Sequence, residues 1–426
     1  MRVLLISANT EMINMPVLPL GMAFVARAAE DAGHEVSQIN LMTEPEALKT
    51  LAERIQTVQP DIIGISVRNI DDQFSLQPRF LLDPVKAIVS TCRQNSEAKI
   101  VLGGAGYSIF PRHALTYLAA DIGIQGEGEQ SFAMLLDKLK NNEDLSNIPG
   151  LYHADRGIAS PPATFKKIDQ NPFPQPGRHI FSLEHTGDEI IWLPFQTRRG
   201  CPLNCSYCST PSIEGTITRK RSTDLIIDAL AAYVSAGFDH FFFVDNTFNL
   251  PPGYSKDLCE QMIESDLNIT YRAIFYPWKV EKELVAKMAE SGCVEVSLGL
   301  ESGSDIILRK MNKQYRTVDV RRASDLLKEG GIRQMGFLLL GGPGETQQTV
   351  QESLEFVDSL ALEMVKVTIG IRIYPGTELA FHARQTGKIS PDDNLLLPQF
   401  YIENGMDAWI RQTVGDWMKD RPNWIY

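Results

Sequence analysis

Three cysteines within eight residues carry the strongest chemical signal in the sequence. Cys201, Cys205 and Cys208 have the spacing C-x-x-x-C-x-x-C, and Tyr207 lies inside the motif. A structural zinc site needs four closed ligands, usually from two C-x-x-C pairs, and the chain has no second pair. Three thiolates on a cubane iron–sulfur cluster leave one iron open to a substrate or a cofactor. The spacing therefore favours an open iron–sulfur cluster over structural zinc.

The remaining cysteines and the histidines give no second metal signal. Cys92, Cys259 and Cys293 are isolated in apolar helical or strand contexts, which predicts buried core residues. The seven histidines are scattered, with no His-x-x-His or His-x-x-x-His pair, so each is expected at the surface or in the core. Five basic residues flank the cysteine motif, and we expect most of them on a solvated charged face: Arg198, Arg199, Arg219, Lys220 and Arg221.

Composition limits the classes of partner and the cellular location. The 426 residues include 41 Lys and Arg against 53 Asp and Glu, a net charge of -12, so nucleic acid is not an expected partner. No segment has the roughly 18 apolar residues that a membrane span needs. The apolar run at the N-terminus is interrupted at Asn9 and Glu11, too early for a signal peptide. We expect a soluble, cytoplasmic protein.

Residues 1–140 alternate short apolar runs with helical periodicity. Amphipathic helices are predicted at 20–32, closed by Gly33, and at 43–59, opened by a capping box of Thr43 and Glu46. Five βα units of this kind predict a doubly wound, Rossmann-like parallel sheet. The predicted strands cover residues 3–8, 35–41, 61–67, 99–103 and 122–126.

Small and polar residues gather at the carboxyl ends of these predicted strands, where such a sheet binds its ligand. A dinucleotide site would place G-x-G-x-x-G directly after the first strand, and that motif is absent. Any one of these glycines could simply close a tight turn. Because four strand ends share the feature, the set favours a ligand site formed by Leu20, Gly21, Ser66, Arg68, Asn69, Gly103, Gly104, Gly126 and Glu127.

A second α/β domain is predicted after a connector. Residues 141–190 lose periodicity and are rich in proline, which is typical of a linker. From 191 to 385 the βα alternation resumes and predicts a partial (β/α)6 barrel. Residues 386–426 carry Trp409, Trp417 and Trp424 and are expected to form a small C-terminal cap. The predicted barrel strands include residues 241–244, 271–275, 294–300, 334–340 and 366–373.

The cysteine motif resembles the signature of the radical S-adenosylmethionine (SAM) enzymes. The resemblance implies a 4Fe-4S cluster on the three cysteines, with SAM on the fourth iron. Ser297 and Glu301 alternate along one predicted strand and share a face, and Arg372 on the last strand could bind a carboxylate. The resemblance implies SAM contacts from Tyr207, Asp245, Asn246, Ser297, Glu301, Gly341, Gly342 and Arg372, with Asp245 and Asn246 near the methionine amino group.

The first domain resembles the cobalamin-binding domain of a large branch of the same family. Its strand-end elements match that branch in order and spacing, but the Asp-x-His-x-x-Gly motif that supplies a histidine to cobalt elsewhere is missing. The resemblance therefore implies cobalamin without a histidine on its lower face. Ser66, Gly103 and Gly104 would lie along the nucleotide tail, and Arg68 or Asn69 near the corrin.

The family implies an enzyme whose side chains need not act as acid or base. The first hypothesis is a C-methyltransferase that moves a methyl group from methylcobalamin to an unactivated carbon, after a 5'-deoxyadenosyl radical has removed hydrogen. The alternative is a non-methylating cyclase or rearrangement enzyme that uses cobalamin. A third class, an electron-transfer cluster carrier, would have no use for Glu301. A methylthiotransferase is excluded because the extra domain of that branch carries three further cluster cysteines. The first domain here has only Cys92. The expected partners are a small-molecule or protein side-chain substrate and a flavodoxin or ferredoxin.

Overall fold

The chain has two large β-sheets, each in a unit of its own: the first is mainly parallel and the second is parallel. The computed structural model describes residues 1–11, 18–153, 155–162, 164–179 and 192–426. The first unit comprises Met1–Asp72, Pro78–Ile191 and Thr210–Gly215, and the second comprises Gln73–Gln77, Trp192–Ser209 and Thr216–Tyr426. No helix in the described ranges is long and apolar enough to cross a membrane.

The first unit has seven strands in the order β2-β1-β3-β4-β5-β6-β7, and β2 to β5 are parallel. The last two strands add antiparallel. The elements of this unit are β1 (Arg2–Ser7), α1 (Leu20–Asp31), β2 (Glu35–Asn40), α2 (Ala47–Val58), β3 (Ile62–Ser66), α3 (Leu82–Asn95), β4 (Lys99–Gly103), α4 (Ala105–Ile109), α5 (Pro111–Leu118), β5 (Ile122–Ile124), α6 (Gly128–Lys140), β6 (Leu151–His153), β7 (Ile158–Ala159) and α7 (Thr210–Glu214).

The core of the first unit explains why its strands are continuous apolar runs. Val3, Leu5, Ile62 and Val101 are buried on one face of the sheet against α1 and α6. The neighbouring residues of β1, β3 and β4 are buried on the other face, since helices cover a parallel sheet on both sides. The predicted doubly wound sheet is thus confirmed.

Two local features of the first unit differ from the sequence expectations. The predicted capping box is wrong, because α2 begins only at Ala47 and the Thr43 hydroxyl instead donates to the Asn40 carbonyl at 3.0 Å. A short 3₁₀ turn at Leu41–Thr43 occupies the place of the first predicted helical turn. Residues 141–190 also contribute β6 and β7 to the sheet, although their prolines and irregular pattern indicated only a linker.

The second unit is a parallel sheet of seven strands in the order β18-β15-β14-β13-β12-β11-β8. Its elements are β8 (Leu193–Phe195), β9 (Arg198–Arg199), β10 (Arg219–Lys220), α8 (Thr223–Ser235), β11 (His240–Phe243), α9 (Pro252–Glu264), β12 (Thr270–Phe275), α10 (Lys282–Glu290), β13 (Cys293–Glu301), α11 (Asp305–Lys310), α12 (Thr317–Glu329), β14 (Arg333–Leu340), α13 (Gln347–Ser359), β15 (Met364–Ile369), β16 (Ile371–Arg372), α14 (Glu378–Gln385), β17 (Phe400–Tyr401), α15 (Asp407–Met418) and β18 (Trp424–Ile425).

Burial alternates along the central strands of this sheet. In β13, Val296, Leu298 and Leu300 are fully buried, whereas Ser297 and Glu301 are half-buried. Successive side chains of a strand point to opposite faces, so one face packs on the helices and the other stays available for a site. The prediction that Ser297 and Glu301 share a face is consistent with this pattern.

The last predicted barrel strand is interrupted, which corrects the expectation for residues 366–373. β15 ends at Ile369 because Gly370 adopts a φ of +83°, a left-handed conformation that glycine tolerates. Residues Ile371–Arg372 then pair antiparallel with β17 from the C-terminal segment. Arg372 therefore does not lie on a continuation of β15. The C-terminal segment also supplies β18, which extends the main sheet beside β15.

Candidate functional site

The three-cysteine loop runs from Gly200 to Ser209, directly after β9. Cys201 is buried, and Cys205 and Cys208 are half-buried. The Cys208 N–H donates to the Cys205 carbonyl at 3.2 Å, which turns the chain between these two thiols. Ser206 ties the loop to two other segments: its N–H donates to the Met311 carbonyl at 3.1 Å, and its carbonyl accepts from the Leu379 N–H at 2.8 Å. Backbone hydrogen bonds thus hold the loop in place.

The chemistry of the loop fits an iron–sulfur cluster. Burial raises the pKa of the Cys205 thiol, whereas the nearby Lys313 ammonium lowers it. A cation beside a thiol stabilises the thiolate, which is the form that binds metal. Across the described ranges, no three His, Cys, Asp or Glu side chains form a group that could hold a single metal ion. Three soft sulfur donors are nevertheless the ligand type that iron–sulfur clusters use.

The structure adds Lys313 to the candidate site. Its Nζ donates to Glu301 Oε1 and to the Tyr207 hydroxyl, both at 3.0 Å. The lysine side chain is 4% exposed and the glutamate side chain 15%. The rings of Tyr207, Tyr276 and Tyr315 surround the ammonium, with centroids 5.1 to 6.0 Å away. Burial would lower the pKa of Lys313, but the Glu301 charge raises it well above its usual value.

Sequence reasoning missed this lysine because an isolated Lys outside a motif is normally a surface residue. The one local signal is its position in a turn between α11 and α12, two residues before Tyr315. Tyr315 is fully buried and donates to the Gly299 carbonyl at 2.6 Å. That bond fixes the turn against β13 and so brings Lys313 to Glu301. Glu301 itself has a φ of +60°, uncommon for a non-glycine residue.

Asp245 lies in the loop after β11 and is fully buried. Its Oδ1 accepts from the Thr197 N–H at 2.7 Å and from the Arg198 N–H at 3.0 Å. Its Oδ2 accepts from the Thr197 hydroxyl at 2.6 Å. The neighbouring Asn246 is half-buried, one residue further along the loop after β11. The two residues that the sequence grouped together thus occupy different environments.

The expectation of a solvated basic face around the cysteine motif is wrong for four of the five residues. Arg198, Arg199, Arg219 and Arg221 are all buried, and Lys220 alone is exposed. Arg198 and Arg199 form β9, which pairs antiparallel with Arg219 and Lys220 of β10, and Arg221 follows β10. Arg198 is buried because the Asp245 carboxylate, 3.4 Å from its Nε, compensates its charge.

The glycine turn after β14 is capped by two carboxylates. Glu345 Oε2 accepts from the N–H of Gly341 and, at 2.9 Å, from that of Gly342. Glu403, from the C-terminal segment, accepts from the Gly344 N–H. Burial raises the pKa of Glu345 to about 7, and the bonds from Gly341 and Gly342 oppose this shift. Gly341 has a φ of +99°, so the turn needs glycine at that position.

Arg372 is buried and directs its guanidinium to main-chain carbonyls. Nη1 donates to the Ile373 carbonyl at 2.6 Å, and Nη2 donates to the Leu395 carbonyl at 2.9 Å. Its guanidinium carbon lies 5.1 Å from the centroid of the Tyr374 ring. These contacts stabilise the C-terminal segment around Leu395. These contacts indicate a structural role for Arg372. Its contact with a carboxylate of SAM remains a prediction.

In the first unit, the predicted ligand residues gather at one edge of the sheet. Ser66 is in register with Ser7 and with Gly103, so three strand ends meet there. Gly104 has a φ of +101°, and a Cβ at this position would lie 2.6 Å from the Val67 carbonyl oxygen. This glycine thus lets two strand-end loops approach closely. A cleft at the ends of β1 and β3 is lined by Arg68 and Asn69, among other residues.

Family comparisons match both units. Residues 6–136 match the B12 binding domain, and residues 196–357 match the Radical SAM superfamily. The chain thus carries a B12-binding domain followed by a radical SAM domain. This confirms the two-domain resemblance, and the two domains imply cobalamin, SAM and a 4Fe-4S cluster as cofactors. Every predicted cobalamin residue lies within the first match, and all predicted SAM contacts except Arg372 lie within the second.

Several relatives of the chain are named as methyltransferases. It is 26% identical to an uncharacterized methyltransferase of Pyrococcus horikoshii, over 89% of this chain and 82% of the relative. It is 24% identical to the tryptophan 2-C-methyltransferase of Streptomyces laurentii, over 87% and 73% of the two chains. An anaerobic magnesium-protoporphyrin IX monomethyl ester cyclase of Rubrivivax gelatinosus is 24% identical over 79% of this chain and 61% of its own length.

A solved structure shows the same fold. The radical S-adenosylmethionine methyltransferase TsrM from Kitasatospora setae, with tryptophan substrate and a SAM analog bound, superposes with a TM-score of 0.87. The two chains are 22% identical, and the match covers 97% of this chain and 88% of the other. The radical SAM domain and the methyltransferase relatives identify the present chain as an enzyme.

Proposed function

We propose that this enzyme is a cobalamin-dependent radical SAM C-methyltransferase, which moves a methyl group from methylcobalamin to an unactivated carbon. The observation that carries the proposal is the three-cysteine loop beside a buried Lys313–Glu301 pair, in a chain that also has a B12-binding domain. A carbon without an activating neighbour cannot be deprotonated at any pKa that a protein can set. Such a reaction therefore depends on cofactors rather than on an acid or a base of the chain.

Cys201, Cys205 and Cys208 would hold the cluster, and the residues around them support that assignment. When bound, the cluster supplies an electron to SAM, and methylcobalamin supplies the methyl group. The backbone bonds of Ser206 keep the loop in place without using a thiol. Burial raises the pKa of Cys205, and the Lys313 ammonium opposes this shift.

Glu301 and Lys313 would bind the amino acid end of SAM. An ammonium group finds an acceptor in the Glu301 carboxylate, and a carboxylate finds a donor in Lys313. Both side chains are largely buried, so their hydrogen bonds to charged groups are stronger than at a solvated surface. The Tyr207 hydroxyl, inside the cysteine motif, holds Lys313 in this position.

Further contacts to SAM are proposed around this pair. Ser297 is half-buried on the face of β13 that carries Glu301. Gly341 and Gly342 would approach the adenine with their backbone, because the turn is fixed by Glu345 and has no side chains there. Asn246 would contribute from the loop after β11.

Cobalamin would lie at the carboxyl edge of the first sheet. Ser66, Gly103 and Gly104 are proposed along its nucleotide tail, where the short side chains leave room. Arg68 or Asn69 is proposed near the corrin. Leu20, Gly21, Gly126 and Glu127 belong to the same edge, since α1 and α6 begin there.

We also propose a flavodoxin or a ferredoxin as electron donor, and the cytoplasm as location. A reduced cluster and six cysteines without a disulfide framework suit a reducing compartment. The net charge of -12 makes nucleic acid an unfavourable substrate. A small molecule or a protein side chain is therefore the proposed class of substrate.

The test is anaerobic reconstitution with iron, sulfide and cobalamin, followed by reduction and addition of SAM with a deuterated methyl group. A methyltransferase transfers that label to cobalt and releases S-adenosylhomocysteine. The alternative, a cyclase or rearrangement enzyme, is favoured by the cyclase relative and gives 5'-deoxyadenosine without labelled methylcobalamin. If neither nucleoside nor corrinoid absorbance is found, the proposed function is wrong.

A further inference from the structure

We propose that Asp245 is a positioning residue, which fixes the start of the cysteine loop, rather than a ligand of SAM. Asp245 follows β11, and the two residues that it contacts, Thr197 and Arg198, precede Cys201 by four and three positions. Its carboxylate thus joins the end of one strand to the segment that leads into the motif. The proposal deepens the proposed function and rests on it only through the cluster that the motif would hold.

The geometry of the carboxylate satisfies both of its oxygens within the chain. Three short hydrogen bonds, between 2.6 and 3.0 Å, come from the backbone of Thr197 and Arg198 and from the Thr197 hydroxyl. Asp245 and Thr197 have no exposed surface. To reach a ligand, the carboxylate would have to give up these bonds and leave two buried N–H groups without partners, which is costly.

Arg198 extends the same network into the neighbouring helix. Its Nη1 donates to the Leu250 carbonyl at 2.8 Å and to the Ser255 hydroxyl at 3.1 Å. Its guanidinium lies over the ring of Tyr254, at 4.6 Å from the centroid. The Tyr254 hydroxyl in turn donates to the Arg221 carbonyl at 2.8 Å. The β9–β10 strand pair is therefore anchored to α9 and to the loop before it, through Arg198 on β9 and Arg221 directly after β10.

This network explains why the Arg198–Asp245 ion pair is buried beside the segment that leads into the cysteine motif. A buried ion pair contributes little net stability compared with apolar side chains, but it specifies one arrangement because each charge must find its partner. Here the arrangement that it specifies is the path of the backbone into Gly200 and Cys201. The cysteine loop has two further ties at Ser206, so Asp245 controls its first half.

The experiment uses the full chain with Asp245→Asn, which places an amide NH2 against donors that need an acceptor. Iron and sulfide bound after reconstitution should fall several-fold, while cobalamin binding is kept. In the metal-free chain, iodoacetamide should label Cys201 about tenfold faster, the effect of losing one buried hydrogen bond to a charged group. The matched control is Asp239→Asn, because the Asp239 side chain is 67% exposed at the start of the same strand.

Thr197→Val and Thr197→Ser keep the test decisive if Asp245→Asn does not fold. Valine removes the hydroxyl bond to Asp245 and the acceptor for Arg198 Nε, but it keeps both backbone bonds to the carboxylate. It should therefore give a smaller change in the same direction, and serine should restore wild-type labelling. Normal iron content and labelling in Asp245→Asn, with weaker binding of SAM, would instead make Asp245 a SAM ligand. Normal values throughout would also overturn the proposal. If the wild-type chain takes up no iron, the proposed function fails, but the labelling of the metal-free chain still decides the role of Asp245.

Discussion

Lys313 and Glu301 form a buried ion pair, 3.0 Å apart, next to the cysteine loop. The Tyr207 hydroxyl, which belongs to the cysteine motif, accepts a second bond from the same ammonium. A motif tyrosine, a strand residue and a lysine from a later turn thus converge. Their convergence makes the site testable by single substitutions.

Lys313→Met should cost about 3 kcal/mol of stability, because it leaves a largely buried carboxylate without its cation. SAM affinity should fall at least about tenfold, since a charged contact is lost. Denaturant unfolding and equilibrium binding measure the two effects. The double variant Lys313→Met with Glu301→Gln should recover stability but not binding. Lys282→Met, at an exposed ion pair, is the control and should change neither.

Tyr207→Phe should weaken SAM binding more mildly. The ring and its packing stay, and only the acceptor for Lys313 is removed, worth about 1 kcal/mol. Iron content should remain at the wild-type level, because the three cysteines are unchanged. Loss of iron together with loss of binding would show that the hydroxyl supports the loop itself and not the lysine. Isothermal titration and iron analysis on the same preparation separate these outcomes.

Cys205→Ala should abolish iron uptake and nucleoside formation while corrinoid binding remains intact. Two thiolates cannot replace three on a cubane cluster, and cobalamin is assigned to the other unit. Cys92→Ala is the matched control, because Cys92 is a buried cysteine of the first unit and should change only stability. Loss of corrinoid binding in Cys205→Ala would contradict the separation into two sites.

Glu345 should make the second unit less stable as the pH rises from about 4.5 to about 7. Its pKa is raised by burial to about 7 in the folded chain, so the folded state holds a proton that the unfolded state releases. The stabilisation is complete below about 4.5 and is lost by about 7, which amounts to about 3 kcal/mol. Unfolding of Glu345→Gln and wild type at pH 5 and pH 8 measures it. A pH-independent difference between the two would contradict the assignment.

Gly104→Ala and Gly21→Ala should distinguish a glycine that the backbone conformation requires from one that leaves room for cobalamin. At Gly104 the φ of +101° and the nearby Val67 carbonyl oppose any Cβ, so we expect a loss of about 2 kcal/mol or more. At Gly21, in α1, no atom of the residues that the structure describes lies within 4 Å of an added Cβ. Alanine there should stabilise the helix by up to about 1 kcal/mol. Weaker cobalamin binding by a stable Gly21→Ala would place the corrinoid at this helix end, and unchanged binding would place it elsewhere.

The sequence by itself determined the two sheets and the three cysteines. Continuous apolar runs in β1, β3 and β4 indicate strands that helices cover on both faces. The alternation of apolar and polar residues in β13 indicates a strand that is packed on one face only. The fold class therefore follows from the local hydrophobic pattern. The thiol spacing lies within one short loop and needs no tertiary information. A residue whose structural contacts are close to it in the sequence can therefore be predicted from the sequence.

Tertiary structure decided which polar side chains form the site and which support it. Lys313 is a site residue only because Tyr315 fixes its turn on β13. Asp245 is buried because it accepts hydrogen bonds from Thr197 and Arg198, which lie more than forty residues earlier in the chain. The break at Gly370 depends on pairing with β17 from the C-terminal segment. A charged side chain is buried only where an oppositely charged or hydrogen-bonding partner compensates it. Partners that are distant in the sequence come together only in the folded sheet.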